Sequence, residues 1–173
     1  MKYVEGNLVT MALEGQFDVI VHGCNIFHTF GSGIAAEIRD RIPEAYAADL
    51  QSKLGDKSKL GTYTMVGKDI ETNRSMVINL YTQGSFGKKG VHVVYDAVER
   101  GFTMIAAAAM IQERITGQPV KVGIPMIGAG LGGGDWNKIV KIIDDCGFSD
   151  ITCVVMPGSE AAKRFIVDVV NEE

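Results

Sequence analysis

The stretch Ile124-Pro125-Met126-Ile127-Gly128-Ala129-Gly130-Leu131-Gly132-Gly133-Gly134-Asp135-Trp136 decides the fold. An apolar run enters five glycines within seven positions and leaves into an amphipathic pattern, so strand, loop and helix follow in that order. Glycine lets the backbone turn with positive φ and approach a ligand closely. Successive N–H groups in such a loop form a concave nest for oxyanions. The helix behind contributes unpaired amides and the positive end of its dipole. The segment therefore reads as an anion site, with a phosphate-bearing ligand as its occupant. Asp135 stands where an N-cap is needed, and Trp136 is placed to pack under the loop.

Outward from this stretch the chain alternates between strand and helix patterns. Residues 2–5 and 17–22 read as short strands, and the continuous Val19-Ile20-Val21 marks the second as buried on both faces. A polar loop over 23–32 follows. From Gly33 onward, Ile34, Ala35, Ile38 and Ile42 share one helical face until Pro43 interrupts. Strands are expected over 61–66 and 75–80, and an alanine-rich helix over 95–115 in which Gly101 weakens the first half. A strand at 121–125, a helix at 135–146, a strand at 151–155 and a closing helix at 159–170 complete the pattern. This order predicts a three-layer α/β/α sandwich around a mixed, mostly parallel sheet. Without an internal repeat or linker, residues 1–173 read as one domain. Ligands of open α/β sheets bind beyond the carboxyl ends of the strands. Both glycine-containing loops follow strands directly, so both belong to that rim and make one cleft.

Composition narrows the partners. With 46% hydrophobic and 22% charged residues, the 173-residue chain carries enough apolar material for a full core. Its net charge of −4 and lack of a long basic stretch argue against bulk nucleic-acid binding, though not against a modified nucleotide. Lys53, Lys57 and Lys59, mixed with Asp56, read as a solvated turn. No basic segment followed by an apolar one opens the chain, and the apolar run at 104–111 is too short for a bilayer, so no membrane association is expected. Cys24, Cys146 and Cys153 are odd in number and lack C-x-x-C spacing, which fits a cytoplasmic protein.

Several chemical readings compete for the two loops. Gly128-x-Gly130-x-x-Gly133 matches the dinucleotide fingerprint literally, but Asp150 precedes the next strand instead of ending it, and too little chain remains for a nucleotide-binding half. No Gly-Lys-Ser/Thr closes the loop, so the phosphate-loop pattern fails as well. In the other loop, His22 and His28 flank Cys24, but three local ligands without a partner cluster make no zinc site, and no metal is expected. Cys24 as a phosphatase nucleophile would need an arginine six positions on, where Phe30 stands; a small half-buried thiol is the plainer reading. Asn25 suits a sugar diol through its donor and acceptor, or else ties up its own loop as a turn former.

Four segments together resemble the macrodomain family of ADP-ribose-binding modules: Val4-Glu5-Gly6-Asn7-Leu8, Val19-Ile20-Val21-His22-Gly23-Cys24-Asn25, Gly31-Ser32-Gly33-Ile34-Ala35, and the stretch from Ile124 to Trp136. The closest likeness is to the branch of ADP-ribose-1''-phosphate phosphatases and small phage or bacterial macrodomains. The resemblance implies that residues 6–8 meet the adenine, with the Leu8 amide as donor and Asn7 where many relatives carry Asp. It implies Asn25 on the distal ribose, and Gly31, Ser32, Gly33 and Ile34 on the pyrophosphate and that ribose. Gly128, Ala129, Gly130, Leu131, Gly132 and Gly133 would wrap the other side. Gln83 stands where hydrolytic relatives have a lysine, and Gly132 where some have an acid. His22 matches the histidine of the phosphatase branch, as acid, base or water positioner; its other reading is a strand-end imidazole buried neutral. The expected activity is ADP-ribose binding with hydrolysis of ADP-ribose 1''-phosphate. Its rivals are a non-catalytic reader or sequestering module and a hydrolase of ADP-ribosyl esters on protein or nucleic acid. No cofactor is implied; the partner is ADP-ribose or a derivative.

Overall fold

Valines and isoleucines at successive positions of a strand point alternately to opposite faces, and here both faces are covered. In β2 (Val19–Asn25), Val19 and Val21 enter one apolar cluster while Ile20 and Cys24 enter another. In β4 (Met76–Gln83), Ile78 and Leu80 face the first cluster, and Val77 and Tyr81 the second. The computed structural model describes residues 1–87 and 89–166. Around these strands lie β1 (Lys2–Glu5), β3 (Tyr63–Val66), β5 (Lys121–Ile124) and β6 (Asp150–Val155), in the order β1-β6-β5-β2-β4-β3. All pairings are parallel except that of β3 with β4. This is the three-layer α/β/α architecture with a mixed, mostly parallel sheet.

The helices divide between the two faces. On the second cluster lie α1 (Leu8–Leu13), α2 (Gly33–Arg41) and α3 (Pro43–Leu50), which contribute Val9, Ala12, Ile38 and Ala45. On the first lie α4 (Tyr95–Thr116), α5 (Trp136–Asp145) and α6 (Glu160–Phe165), with Phe102, Ile105, Trp136, Ile139 and Ile143 at their centre. The chain leaves β2 toward α2 on one face and leaves β5 toward α5 on the other. Adjacent parallel strands whose following helices go to opposite faces form a topological switch point, where a crevice opens. The pairing makes that crevice visible. β2 runs beside β5 only through Val19↔Val122 and Ile20↔Gly123, whereas it stays with β4 as far as Asn25↔Gln83.

Several boundaries differ from the sequence expectation. β2 continues to Asn25 and β4 to Gln83, each three residues beyond the apolar runs that announced them. Their last residues are polar, and pairing between strands holds them where hydrophobic periodicity gave no signal. α1 was not expected. Asn7 starts it by accepting from the Thr10 amide at 2.8 Å, and its one short apolar face packs Leu8, Val9 and Ala12. Pro43 does not merely interrupt; it occupies the first turn of α3, where its missing N–H costs nothing. The closing helix is described to Phe165, and the expected continuation over 167–170 lies outside the described residues. No helix among the described residues is long and apolar enough to cross a membrane.

Gly101 acquires a packing reason that the sequence did not offer. A Cβ there would lie 2.2 Å from Leu80 Cδ1 and 3.0 Å from Cδ2, so its absence lets α4 approach β4. Helix propensity alone would make Gly101→Ala stabilising by up to about 1 kcal/mol. Overpacking against buried Leu80 should instead make it destabilising by about 1–3 kcal/mol in urea unfolding. A gain in stability would show that the helix and strand have room to part.

Candidate functional site

Beyond the diverging ends of β2 and β5 lies a cleft of about 660 Å3. One wall is the segment from Thr29 to Ala35, which enters α2; the other runs from Pro125 to Gly132, ahead of α5. Ser32 takes the N-cap position of α2 in extended conformation without a side-chain capping bond, and Gly33 then turns with φ of +56°. Among the described residues, the amides of Gly33, Ile34 and Ala35 donate to no protein acceptor. They present the three free donors expected of a helix N-terminus.

The opposite wall is built by backbone crowding. Gly128 has φ of +74°, and its carbonyl accepts from the Gly134 amide at 2.8 Å, closing the loop on itself. A Cβ on Gly132 would lie 2.6 Å from that carbonyl oxygen, so no side chain fits there. The carbonyl of Gly132 accepts from the amides of His92 at 2.8 Å and Val93 at 3.1 Å. The amides of Gly128, Gly130, Leu131 and Gly132 donate to no protein acceptor among the described residues. Asp135 caps α5 by accepting from the Asn137 amide at 2.9 Å, and buried Trp136 sits in the cluster beneath. Two rows of amides without a protein acceptor thus belong to residues that line one cleft.

The expected site residues separate into three groups. Asn25, Gly31, Ser32, Gly33, Ile34, Gly128, Gly130, Leu131 and Gly132 line the cleft together. Ala129 and Gly133 frame the second loop without lining it; their amides go to the carbonyls of Met126 and Gly130. Asn7 and Leu8 follow β1 on the same rim but outside the cleft lining. Asn7 is occupied: besides capping α1, its Nδ2 donates to both carboxylate oxygens of Glu37 at 2.9 and 3.2 Å. The Leu8 amide has no protein acceptor among the described residues. Asn25 is largely a turn former. Its Oδ1 accepts from the Phe27 amide at 2.8 Å, and its Nδ2 donates to the hydroxyl and carbonyl oxygens of Thr29. With both amide hydrogens engaged, one lone pair on Oδ1 remains for a ligand hydroxyl.

His22 requires a correction. The sequence placed it at a strand end, but the three further residues of β2 set it back from the rim by about 10 Å of extended chain. Its alternation turns the ring under α2 and α3, where it is fully buried, meets Phe30 edge-on at 5.3 Å, and bonds Asn79 Oδ1 through Nε2 at 2.7 Å. Burial lowers its pKa from 6.5 to about 4, against the opposing effect of the Asn79 bond. The imidazole is therefore neutral at pH 7 and outside the cleft, so it does not reach a ligand's proton. His28 turns away too, to Ser52 Oγ at 2.9 Å, so the two histidines flanking Cys24 do not converge. Burial pushes the Cys24 thiol well above its ordinary range, which leaves it protonated.

A third loop was missed altogether. After β4, residues 84–87 and 89–92 lie so that the Gly84 amide meets the His92 carbonyl at 3.2 Å, and Ser85 Oγ pairs with His92 Nδ1 at 2.8 Å. It brings Phe86 and Gly87 into the lining, beside Gln83 at the end of β4. The available signal was Gly84-Ser85-Phe86-Gly87, a turn-rich run after a strand on the same rim.

The buried histidine makes stability pH-dependent with a definite sign. The unfolded chain takes up this proton near pH 6.5, whereas the fold refuses it until about pH 4. His22 thus costs nothing above pH 6.5, and its contribution is lost as pH falls toward 4, by about 3 kcal/mol. Urea titrations from pH 7 to pH 4 should show this loss, and His22→Gln should flatten it. An equal slope in both proteins would contradict the neutral buried assignment.

No family model matches the chain. It is 36% identical over 145 residues to an uncharacterized 17.5 kDa protein from the tk-vs intergenic region of Enterobacteria phage T4, covering 83% of this chain and 88% of that one. Its structure superposes on the macrodomain of Thermus aquaticus DarG with a TM-score of 0.67 at 21% identity, over 90% of this chain and 97% of that one. Thermosipho africanus DarTG in complex with ADP-ribose gives 0.66 at 15% identity, over 96% of this chain and 45% of that one. The Oceanobacillus iheyensis macrodomain with ADP gives 0.59 at 12%, over 96% and 87%. The chain belongs to the family of the phage T4 protein, and the fold it carries is the macrodomain fold.

Proposed function

We propose that the protein binds ADP-ribose, free or attached to another molecule, and acts as a reader or sequestering module. The observation that carries this reading is the pair of free-amide rows, from Gly33 to Ala35 and from Gly128 to Gly132, on facing walls of one cleft. A diphosphate between them would accept from both loops and meet the positive end of the α2 dipole. Between the amides the walls carry Phe30, Ile34, Met126, Ile127 and Leu131, apolar surface that a bound ligand would cover. The ADP-ribose and ADP complexes of the similar folds support the same ligand class.

Binding without acid–base catalysis is the better supported form. Among the described lining residues, Cys24 alone titrates, and its pKa is raised. Hydrolysis of ADP-ribose 1''-phosphate was expected to use His22, which the fold buries on Asn79. Gln83, Asn25, Thr29 and Ser32 are left in the lining, able to hold water or sugar hydroxyls but not to supply a base near pH 7.

Calorimetric titration with ADP-ribose should show one site per chain. Gly130 faces open space, with nothing within 4 Å of a Cβ, so Gly130→Asp should leave the fold intact. Its carboxylate beside the phosphate nest should weaken ADP-ribose at least about tenfold by like-charge repulsion. Phosphate release from ADP-ribose 1''-phosphate should not exceed the buffer rate. Absence of ADP-ribose binding would end the reading; release above buffer would restore the phosphatase.

A further inference from the structure

The sheet ends at β3, and that edge is open. The Tyr81 amide donates to the Thr62 carbonyl at 3.0 Å, and β3 is paired with β4 alone. Main-chain alternation therefore turns Thr62, Thr64 and Val66 toward β4 and directs the N–H and C=O of Tyr63 and Met65 away from the sheet. The strand, Tyr63-Thr64-Met65-Val66, carries neither a charge nor a proline, the usual guards of such an edge. Lys59 is no guard either: its Nζ is turned in to the Ile26 carbonyl at 3.2 Å, over the Tyr81 ring. Lys68, beyond the strand, stands 3.9 Å from Asp18.

Apolar side chains in solvent gather along the same border. Met65 is opposite Ile78 and so lies on the α4 face of the sheet. On α4, Arg100, Met104, Ala108, Ile111 and Ile115 recur every three or four residues and form one stripe. Arg100 fixes where the stripe lies: its Nη2 donates to the Leu60 carbonyl at 3.0 Å, beside the start of β3. Ala108 also lines a groove of about 540 Å3 with Met76, Ile78 and Lys68, between the stripe and the strands. On the opposite face, α3 packs on β3 and leaves Leu50 outward. Leu50, Met65, Met104, Ile111 and Ile115 are each 48–74% exposed. Those exposures leave on the order of 500 Å2 of apolar surface, at the upper end for a monomer. Homodimer interfaces are about 65% apolar, so a patch of that size corresponds to about 800 Å2 a side, the standard interface.

We propose that β3 pairs with β3 of a second copy of this chain, about a two-fold axis through Thr64 and perpendicular to the sheet, joining the two six-stranded sheets into one. An antiparallel edge is its own complement under such a rotation. Tyr63 of each copy exchanges both main-chain bonds with Met65 of the partner subunit, so every outward group of the strand is paired. The rotation also brings the turn before β3 in one copy against the turn after it in the other. Asp56 stands 3.5 Å from Lys53 and Asp18 stands beside Lys68, which leaves Lys57 before the strand and Asp69 and Glu71 after it. Opposite charges therefore meet twice across the axis. On the α4 face, the exposed methionines and isoleucines of the two copies cover one another. Edge, apolar flank and end charges are each self-complementary, which selects a second copy over an unrelated strand. The two clefts then open at opposite ends of the joined sheet, and both stay accessible.

Sedimentation equilibrium on the full chain provides the test. At tens of micromolar the protein should sediment at twice the chain mass and no higher, because pairing of the two edges closes the assembly. Met65→Lys sets two ammonium groups on diagonal positions about 7–8 Å apart across the axis and should weaken the dimer at least about tenfold. Ile111→Glu should do the same through the α4 flank. Both side chains are exposed, so far-ultraviolet spectra should match that of the unaltered protein. The two positions are on different elements, so either variant decides if the other does not fold. Thr64→Cys places two thiols at the axis, where opposed Cα atoms are about 4.5 Å apart. Mild oxidation should then give a covalent dimer that Ser58→Cys does not. A protein monomeric at those concentrations would leave the edge to another protein's strand and overturn the proposal. So would a dimer that survives both charged variants, an assembly larger than two, or a covalent dimer formed equally by Ser58→Cys.

Discussion

The parallel pairing of β2 between β5 and β4 is the constraint on which the rest of the molecule depends. Parallel neighbours deliver their carboxyl ends to one rim, so loops far apart in sequence become walls of one cleft. Because the helices after β2 and β5 leave for opposite faces, no connection crosses the gap between them. The short register between these strands, ending at Ile20↔Gly123, opens the space, and the longer one with β4 gives it a floor. Gly123 itself permits close approach: a Cβ there would lie 2.7 Å from a ring carbon of Phe17.

Both faces of this sheet are buried, which decides what polar side chains on it can do. His22 and Asn79 are register partners on adjacent strands and satisfy each other beneath α3, where Asn79 also donates to the Ala45 carbonyl at 2.7 Å. Tyr81, further along β4, donates to buried Asp49 at 2.6 Å. These bonds belong to packing of the second layer, where an unpaired polar group would be costly. The cleft above is left to main-chain amides, small or apolar side chains, and the uncharged polar groups of Asn25, Thr29, Ser32 and Gln83. On the proposed reading such a surface would recognise charge and shape, which is why we put binding before hydrolysis.

The sequence made the architecture legible because its signals are local. The glycine run at 128–134, the unbroken apolar stretch at 19–21 and the break at Pro43 each state their own structure. It also exposed the two loops whose free amides make the cleft. What it hid was set by tertiary pairing. The polar ends of β2 and β4 carry no hydrophobic period, so both strands looked three residues too short, and His22 was promoted from strand interior to rim. Asn7 entered the expected site through the family resemblance, and its capping of α1 went unseen because that helix is too short to show a period. Gly101 looked like a flaw in α4 because the reason for it, Leu80, is on another element. Phe86 escaped notice because a lone aromatic in a glycine turn joins the lining only through that turn's place after β4.

The central claim is that backbone amides of two loops hold one diphosphate. Amide chemical shifts followed by two-dimensional NMR during titration with ADP-ribose test it most directly. The account predicts that the amides of Gly33, Ile34, Ala35, Gly128, Gly130, Leu131 and Gly132 shift together with a single dissociation constant. Shifts confined to one loop, or centred elsewhere on the molecule, would contradict it.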